Sequence, residues 1–361
     1  MTTARATSAN SEPSFVDSQR HGPLRVAVLG LGLIGGSVAL GILAHQASSA
    51  GKLSVGADQA TLAAVVGWDP DDQTRAAAAE QGIQIARTAS AAVDNADLVV
   101  LCGPLKTLAA TAREIAPHLR PRAMITDVGS VKSAVRRAMK DAGLNDRYVG
   151  AHPMAGMEVA GFSAARADLL RGATWALTVD DHTVAANVVT LLEFVTSVFA
   201  ARVIVLDDHS HDAAAAIISH VPHVLAHALL GHAAMSAQRV VAQRLAAGSF
   251  RDGTRVARLN PARNQAMVED NREAVISSLR LVMADLGALV SDLETGTNTA
   301  EFFNRALDWE PPRDSTGQVV EVDTVNWRQE ILQLGAHGSL ITGVTVVQAA
   351  PYTAVLAVER A

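Results

Sequence analysis

The chain has 361 residues, of which 49% are hydrophobic, 18% charged and 4% aromatic, and its formal net charge is −6. This length suggests about two domains. The acidic balance leaves no concentrated basic stripe for phosphates, which argues against a nucleic-acid partner. Cys102 is the only cysteine, so no disulfide can form within the chain and a thiolate metal site lacks ligands.

No long apolar stretch of the signal-peptide type occurs near the N-terminus, and no run of about 20 apolar residues is uninterrupted. Glu193 and several histidines break the candidate runs. We therefore expect a cytoplasmic protein without a membrane partner. Residues 1–22 are rich in Ser, Thr and Ala without periodicity, which predicts a disordered tail.

The first periodic segment, at residues 24–45, is a short apolar run followed by a glycine-rich turn and a helix-forming run. This is the order that a dinucleotide-binding βαβ unit requires. The first glycine permits the tight turn, the second lets backbone approach a pyrophosphate, and the third lets the helix pack close to the strand. The alternative is a glycine-rich turn without a ligand. The residues predicted to hold the nucleotide are Gly30, Gly32, Leu33, Ile34 and Gly35.

An irregular insertion at residues 46–60 separates this unit from the second strand. It delays the acidic residue that normally follows the glycines by about 20 positions. Asp69, at the end of that strand, can accept hydrogen bonds from both ribose hydroxyls, and Asp71 and Asp72 add negative charge that a 2′-phosphate would meet. The sequence therefore favours NAD over NADP. The alternative is that Asp69 only starts a turn with Pro70.

Strands and helices alternate over residues 23–206, which predicts an α/β domain with a doubly wound parallel sheet and ligands at the carboxyl ends of its strands. Gly103 and Pro104 end one buried strand where the cofactor would pass. The strands after the glycine turn are predicted at residues 63–68, 97–103, 123–127, 148–153, 175–179 and 203–206.

From residue 207 the strand patterns disappear, and apolar segments with helical spacing predict an all-helical domain over residues 207–310. So much apolar face needs a partner subunit to cover it, so we expect a homodimer. Residues 298–301 have the pattern of a capping box that opens the last of these helices.

Pro311 and Pro312 begin a linker, after which one strand, one helix and two strands are predicted within residues 311–361. This small α+β segment is too short to be assigned as an independent domain. It is either a small regulatory module or an edge addition to the dimer, and the sequence leaves both alternatives open.

His152 ends a strand at the predicted cofactor face and precedes a proline, which favours a functional role over a core role. Ser130 follows another strand end, but its position before a helix is equally typical of an N-cap. Residues 209–232 contain six histidines, and Pro222 should kink their helix. A metal is not expected, because zinc sites need closely converging ligands and hydride transfer needs no metal. The histidines with spacing that suits one helix face are His220, His223 and His227.

Three arginines, Arg251, Arg255 and Arg258, cluster after a glycine. The arginine fork matches a carboxylate through two parallel hydrogen bonds. The alternative is a solvated basic face.

At these positions the chain resembles the prephenate/arogenate dehydrogenase family of tyrosine biosynthesis. The resemblance spans about residues 24–310 in the family's order and implies a Rossmann domain, a helical dimerisation domain, NAD as cofactor and oxidoreductase activity. The matching motifs are GLGLIGGS at 30–37, DVGSVK at 127–132, GAHPMAG at 150–156 with Glu158, HD at 211–212 leading to SHVPH at 219–223, and FRDGTR at 250–255 leading to NP at 260–261.

The resemblance also implies roles by position. Ser130 and His152 would contact the ring hydroxyl of the substrate, with His152 as general base. Arg255 would hold a substrate carboxylate, and His223 and Glu158 would line the substrate pocket.

Two positions depart from the family pattern. Met157, expected beside the substrate, stands where threonine is usual, and Asn264 stands where tryptophan often follows the proline. Both positions lie near the substrate in the family and bear on the choice of substrate side chain. The expected substrate is prephenate, with arogenate as the alternative. Less favoured alternatives are a β-hydroxyacid-type dehydrogenase and a nucleotide-sensing regulator without catalysis.

Overall fold

The computed structural model describes residues 24–48, 52–53, 60–157, 159–258, 260–310, 317–323, 325–347 and 353–360. The predicted N-terminal tail lies outside these residues. The strands are β1 (Leu24–Leu29), β2 (Lys52–Leu53), β3 (Ala60–Trp68), β4 (Gln84–Ile85), β5 (Leu98–Leu101), β6 (Met124–Asp127), β7 (Gly150–Pro153), β8 (Thr174–Thr178), β9 (Arg202–Leu206), β10 (Gln318–Asp323), β11 (Leu340–Val347) and β12 (Thr353–Glu359).

Helices connect and cover these strands. In the first part of the chain they are α1 (Leu33–Ala47), α2 (Asp72–Glu80), α3 (Ala89–Val93), α4 (Leu105–Ile115), α5 (Ser133–Asp141) and α6 (Ala185–Phe199). They continue with α7 (Asp208–Ala215), α8 (Val221–Met235), α9 (Arg239–Leu245), α10 (Gly248–Thr254), α11 (Pro261–Asp270), α12 (Arg272–Thr295), α13 (Ala300–Asn304) and α14 (Trp327–Ala336).

The first sheet has the order β2-β3-β1-β5-β6, with β4 beside β3. Strands β3, β1, β5 and β6 are parallel. All four residues of β5 are buried, as expected for a parallel strand that helices cover on both faces. Because β3 and β5 flank β1 on opposite sides, the carboxyl end of β1 lies at the crevice where α/β sheets bind ligands. The predicted Rossmann-type domain is confirmed.

The second sheet has the order β10-β12-β11-β9-β8-β7. A single parallel bridge between Ile125 and Tyr148 joins it to β6, just ahead of β7. The expectation of a wholly parallel sheet is wrong here, because β7 runs antiparallel to β8. The described part of their connection, residues 154–157 and 159–173, contains the short 3-10 turn Phe162–Ala164 but no α-helix, whereas the crossover of a parallel pair usually contains one.

The segment after residue 207 is helical, as predicted, and it buries little of its apolar surface within one chain. Its small core contains Ala216, Val221 and Val275. Two stretches, Asp208–Met235 and Arg272–Thr295, are long and apolar enough to cross a membrane by length and composition alone. Neither stretch is an uninterrupted apolar run, because charged residues or histidines interrupt both.

Two local predictions in this domain need correction. The predicted kink at Pro222 takes the form of a π-helical turn, Ala216–His220, after which Pro222 lies in the first turn of α8. The capping box at residues 298–301 does not form: Thr299 makes no side-chain cap bond, and Asn298 instead accepts a hydrogen bond from Ala300 N.

The C-terminal segment extends the second sheet. Ile341 of β11 pairs with Val203 of β9. Helix α14 packs so closely on β9 that a Cβ on Gly335 would lie 1.8 Å from the carbonyl oxygen of Val205. The segment is thus an edge addition, but it adds to the sheet of the first domain and not to the helical domain.

Candidate active site

The glycine turn between β1 and α1 has the shape that a dinucleotide needs. Gly30 has a φ of 97°, and a Cβ there would lie 2.8 Å from the backbone that follows β5. A Cβ on Gly35 would lie 1.8 Å from the Gly30 carbonyl oxygen, so α1 can pack closely only because a glycine is present. At Gly32 a Cβ would meet no atom within 4 Å. That open space, where α1 begins with Leu33 and Ile34, fits a pyrophosphate.

Asp69 follows β3 directly, and its carboxylate bonds to nearby backbone. Oδ2 accepts a hydrogen bond from Leu31 N at 2.7 Å, and Oδ1 accepts one from Asp71 N at 3.0 Å. Because of the bond to Asp71 N, Asp69 also starts a turn. The ribose-binding role and the turn-starting role considered for this residue are therefore compatible. Each carboxylate oxygen can accept further bonds, so the ribose hydroxyls of NAD fit here.

The loop after β5 lies beside the glycine turn. Gly103 N is 2.8 Å from the position of a Cβ on Gly30, and Pro104 is the N-cap residue of α4. Both residues therefore lie next to the crevice at the carboxyl end of β1.

His152, His211 and Asp212 form a hydrogen-bonded chain across the two domains. His152 Nδ1 lies 3.0 Å from His211 Nε2, and His211 Nδ1 lies 2.9 Å from Asp212 Oδ1. His152 is in β7, whereas the other two residues are in α7. Because the parallel bridge at Tyr148 gives β7 the direction of β6, His152 lies at the sheet edge where β1 and β5 end.

The carboxylate of Asp212 determines which ring nitrogens carry hydrogen. Burial alone would raise the pKa of Asp212, but hydrogen bonds from His211, Ser133 and Lys132 lower it to about 2. Asp212 is therefore an acceptor, so His211 donates to it through Nδ1, and the tautomer with this hydrogen accepts at Nε2. His152 must then donate through Nδ1, which makes its Nε2 the proton acceptor.

Burial and neighbouring charges keep His152 neutral at pH 7. Desolvation is the largest cause, and the nearby positive charge of Lys132 adds to it, so the pKa of His152 lies well below its usual 6.5. A neutral imidazole with Nε2 as acceptor can take a proton from a substrate hydroxyl.

Asp212 also caps α5 from the other domain. Its Oδ1 accepts from Lys132 N at 2.7 Å, and its Oδ2 accepts from Ser133 N at 2.9 Å. The positive end of the helix dipole adds to these bonds. The N-cap role considered for Ser130 is therefore wrong, because α5 begins three residues later. Ser130 is half-buried in the loop between β6 and α5.

Comparisons with known proteins agree with this geometry. A family model described as "Prephenate dehydrogenase, nucleotide-binding domain" matches residues 58–205, and one described as "Prephenate dehydrogenase, dimerization domain" matches residues 207–307. The cyclohexadienyl dehydrogenase of Zymomonas mobilis is 33% identical over 268 residues, which cover 73% of this chain and 86% of that protein. The chain belongs to the prephenate dehydrogenase family.

Further relatives in the prephenate dehydrogenase family carry two substrate names. The prephenate dehydrogenase of Bacillus subtilis is 29% identical over 79% of this chain and 74% of its own length. The solved structure of Synechocystis arogenate dehydrogenase is 27% identical with a TM-score of 0.65, and the match covers 79% of this chain and 96% of that one.

The three helix-face histidines bond to different partners. His220 Nδ1 lies 3.0 Å from Asn271 Nδ2, His223 Nδ1 donates to Ser219 O at 2.8 Å, and His227 Nε2 lies 3.1 Å from Asn264 Nδ2. Within the described parts of the chain, no group of three or more His, Cys, Asp or Glu side chains could hold a metal.

Arg255 lies close to the helix that carries His223. It begins the short turn Arg255–Ala257, which is packed against α8. The buried amide of Asn264 donates to Val256 O at 3.1 Å as well as bonding His227. Asn264, one of the two departures from the family pattern, therefore holds the turn of Arg255 onto α8. Arg255 itself is exposed.

The loop after β7 contains the other predicted substrate residues. Met157 is 38% exposed, so its side chain is accessible in the single chain. Glu158 lies outside the described residues.

Sequence reasoning missed a buried ion pair beneath His152. The fully buried ammonium of Lys132 donates to Asp127 Oδ2 and to Ala151 O, one residue before His152. Tyr148 OH donates to Asp127 Oδ1 at 2.7 Å. These hydrogen bonds fix the position of β7 along β6. Both charged partners, Asp127 and Lys132, belong to the DVGSVK motif, and their closeness in sequence was the signal that could have indicated the pair.

A second missed contact attaches α7 to the first domain. Arg136 of α5 donates through Nε to Asp208 Oδ2 at 2.7 Å, and its guanidinium lies 4.7 Å from the ring centroid of Tyr148. Asp208 begins α7, so this pair helps to place His211 beside His152. Arg136 and Asp208 are 72 positions apart in the sequence, so no local pattern indicates that they pair.

Proposed function

We propose that this protein is an NAD-dependent prephenate dehydrogenase of tyrosine biosynthesis, which converts prephenate into 4-hydroxyphenylpyruvate by oxidative decarboxylation. The proposal rests on the series of hydrogen bonds from Asp212 through His211 to His152. This series leaves His152 Nε2 as a proton acceptor at the edge of the sheet where the nucleotide would bind. The glycine turn and Asp69 supply the NAD site, and the family membership supports the reaction class.

NAD, when bound at the glycine turn, supplies the hydride acceptor. His152 Nε2 accepts the proton of the C4 hydroxyl as hydride leaves C4, so the C4 oxygen becomes a carbonyl. The new imidazolium keeps its Nδ1 bond to His211, and Asp212 at the end of the chain stabilises the added positive charge.

The second step restores the proton balance. When C1 loses its carboxylate as CO₂, the electron pair of the broken bond aromatises the ring and makes the C4 oxygen a phenolate. That oxygen takes the proton back from His152 Nε2, which returns to the neutral form. His152 thus acts first as general base and then as general acid, a role that typically contributes about 10²–10⁴ in rate.

The remaining site residues would orient the substrate. Ser130 would hydrogen-bond the C4 hydroxyl, and Arg255 would hold a carboxylate with its bidentate fork. His223, Met157 and Glu158 would surround the side chain.

We also propose that two chains associate through the helical domain, as its family description suggests. Large apolar side chains of α12 are exposed in one chain, including Leu281 (69%), Met283 (68%) and Leu293 (65%). A monomer rarely exposes so large an apolar surface. Light scattering at micromolar concentration tests this, and a monomeric mass would contradict it.

A cytoplasmic location agrees with the single cysteine.

Arogenate is the second candidate substrate, and one contact favours it. His223 Nδ1 donates to Ser219 O, and the tautomer with this hydrogen presents Nε2 as an acceptor, which matches the ammonium group of an alanyl side chain.

The deciding experiment follows absorbance at 340 nm with NAD and either prephenate or arogenate. Turnover of prephenate that exceeds turnover of arogenate supports the proposal, and the reverse ratio makes the protein an arogenate dehydrogenase. Nucleotide binding without turnover of either substrate would leave the regulator alternative.

A further inference from the structure

Asn264 joins three segments of the helical domain through one side chain. It lies in α11 and is 8% exposed. Its Nδ2 donates to Val256 O at 3.1 Å and lies 3.1 Å from His227 Nε2. Val256 directly follows Arg255 in the short turn Arg255–Ala257, and His227 is in α8. One buried amide therefore links α11, the turn of Arg255 and α8.

The orientation of the Asn264 amide follows from Val256 O. A carbonyl oxygen only accepts, so the NH₂ group and not Oδ1 must face it. The second hydrogen of the same group is then directed at His227 Nε2, which acts as the acceptor. Both amide hydrogens are thus used within the chain. An aspartate of the same size can make neither bond, because an ionised carboxylate has no hydrogen to donate.

The two bonds connect the segments that carry two of the residues proposed to contact the substrate. His227 lies four positions after His223 in α8, so both side chains are on the same face of that helix. Arg255 directly precedes Val256. The Asn264 amide therefore fixes the turn that carries Arg255 relative to the helix face that carries His223.

Two further hydrogen bonds near Arg255 stay within residues 250–258. Thr254 Oγ1 donates to Phe250 O at 2.6 Å, and Arg258 Nη2 donates to Thr254 Oγ1 at 3.2 Å. These bonds shape the segment around Arg255 but do not reach α8 or α11. The bonds of Asn264 are directional and buried, so they add a defined position to the packing of the turn against α8.

We propose that Asn264 is a positioning residue for substrate recognition, which holds the Arg255 guanidinium at the distance from His223 that a substrate carboxylate requires. It acts on the substrate through Arg255, because both of its amide hydrogens are used within the chain. Loss of the amide lowers the affinity for the substrate and leaves the proton transfer at His152 intact. The inference rests on the carboxylate-binding role of Arg255 in the proposed function and extends it to a residue in another helix.

Steady-state kinetics of Asn264→Ala and Asn264→Asp test this with NAD and the preferred substrate, prephenate or arogenate. In both variants KM for that substrate should rise by about 3- to 10-fold, the worth of one neutral hydrogen bond. The values of kcat and of KM for NAD should stay unchanged, because neither His152 nor the glycine turn is altered. Gln265→Ala is the matched control, since this neighbouring amide on α11 is exposed and donates to Glu269; it should keep the wild-type KM.

A double-variant cycle separates positioning from a general loss of structure. Once Arg255→Gln has removed the guanidinium, adding Asn264→Ala should raise KM no further, whereas independent structural damage would multiply the two effects. Asn264→Asp keeps the size of the side chain, and thermal unfolding of each variant checks the fold.

Three results would overturn the inference: an unchanged KM in both Asn264 variants, a fall in kcat without a change in KM, or a rise in KM that persists in the Arg255→Gln background. If Arg255→Gln alone leaves KM unchanged, or if the wild-type protein turns over neither substrate, the proposed function itself fails and the inference falls with it.

Discussion

His152 and His211 share a hydrogen bond of 3.0 Å between Nδ1 and Nε2, although 59 positions separate them and they belong to different domains. Asp212 anchors the far side of His211 and caps α5 of the first domain. The proposed base, His152, is therefore oriented by the helical domain. The helical domain is in turn held by α5, a helix that starts next to the crevice at the carboxyl end of β1.

Replacing His152 by asparagine should remove the base and keep the donor to His211, because the amide NH₂ can take the place of Nδ1–H. We expect kcat to fall by about 10²–10⁴, with NAD affinity unchanged within about threefold, since the glycine turn is untouched. Steady-state kinetics and a binding titration measure both quantities. His118→Asn, at an exposed histidine, is the control. Turnover close to that of the wild type would remove His152 from the mechanism.

The pH profile of kcat/KM should show an acid limb well below pH 6.5. Burial lowers the pKa of His152, so the base stays neutral and active until the pH approaches this lowered value, and protonation then abolishes activity. Rates measured between pH 5 and 8, with a check of the fold at each pH, locate the limb. A limb at 6.5 or above would show that a solvated group controls the rate.

Replacing Arg255 by glutamine should raise KM for the substrate by about 10- to 100-fold and leave the KM for NAD unchanged, because a bidentate carboxylate contact is lost. Arg251→Gln, in the preceding helix, is the matched control. If Arg251→Gln shows the large effect and Arg255→Gln does not, carboxylate binding belongs to Arg251.

The parts that the sequence could predict are local. The glycine turn, Asp69 at a strand end and His152 before a proline each follow from a few consecutive residues. The partners of His152 could not be assigned in this way: His211 and Asp212 stood in a matched motif, but nothing in their spacing indicates that α7 packs against β7. The DVGSVK motif contains both Lys132 and Asp127, but nothing in it indicates that the Lys132 ammonium also bonds to Ala151 O on the neighbouring strand.

The same limit applies to the C-terminal segment. Its strands and helix were predicted nearly in place, yet its attachment rests on distant contacts such as the pairing of Ile341 with Val203 and the close approach of Gly335 to Val205. Contacts between residues more than 100 positions apart leave no periodic signal. The antiparallel direction of β7 was missed because a strand pattern does not specify its direction.

Glu193, in the middle of α6, provides a stability test away from the site. Its side chain is 3% exposed and Oε1 has no hydrogen-bond partner among the described residues. Burial raises its pKa from 4.5 to about 8. The folded protein therefore keeps the proton while the unfolded chain releases it above pH 4.5, so this group lowers stability as the pH rises from 4.5 to 8.

Glu193→Gln is expected to remove that penalty. At pH 4 the neutral carboxyl and the amide should give nearly equal stability, whereas at pH 8 the variant should be more stable by several kcal/mol, on the order of the linkage energy for such a pKa shift. Urea unfolding at both pH values measures the difference, with Glu80→Gln at an exposed position as the control. If the variant and the wild type differ in free energy of unfolding by the same amount at pH 4 and pH 8, the pKa of Glu193 is not raised in the folded protein. Only a raised pKa makes the gain in stability depend on pH.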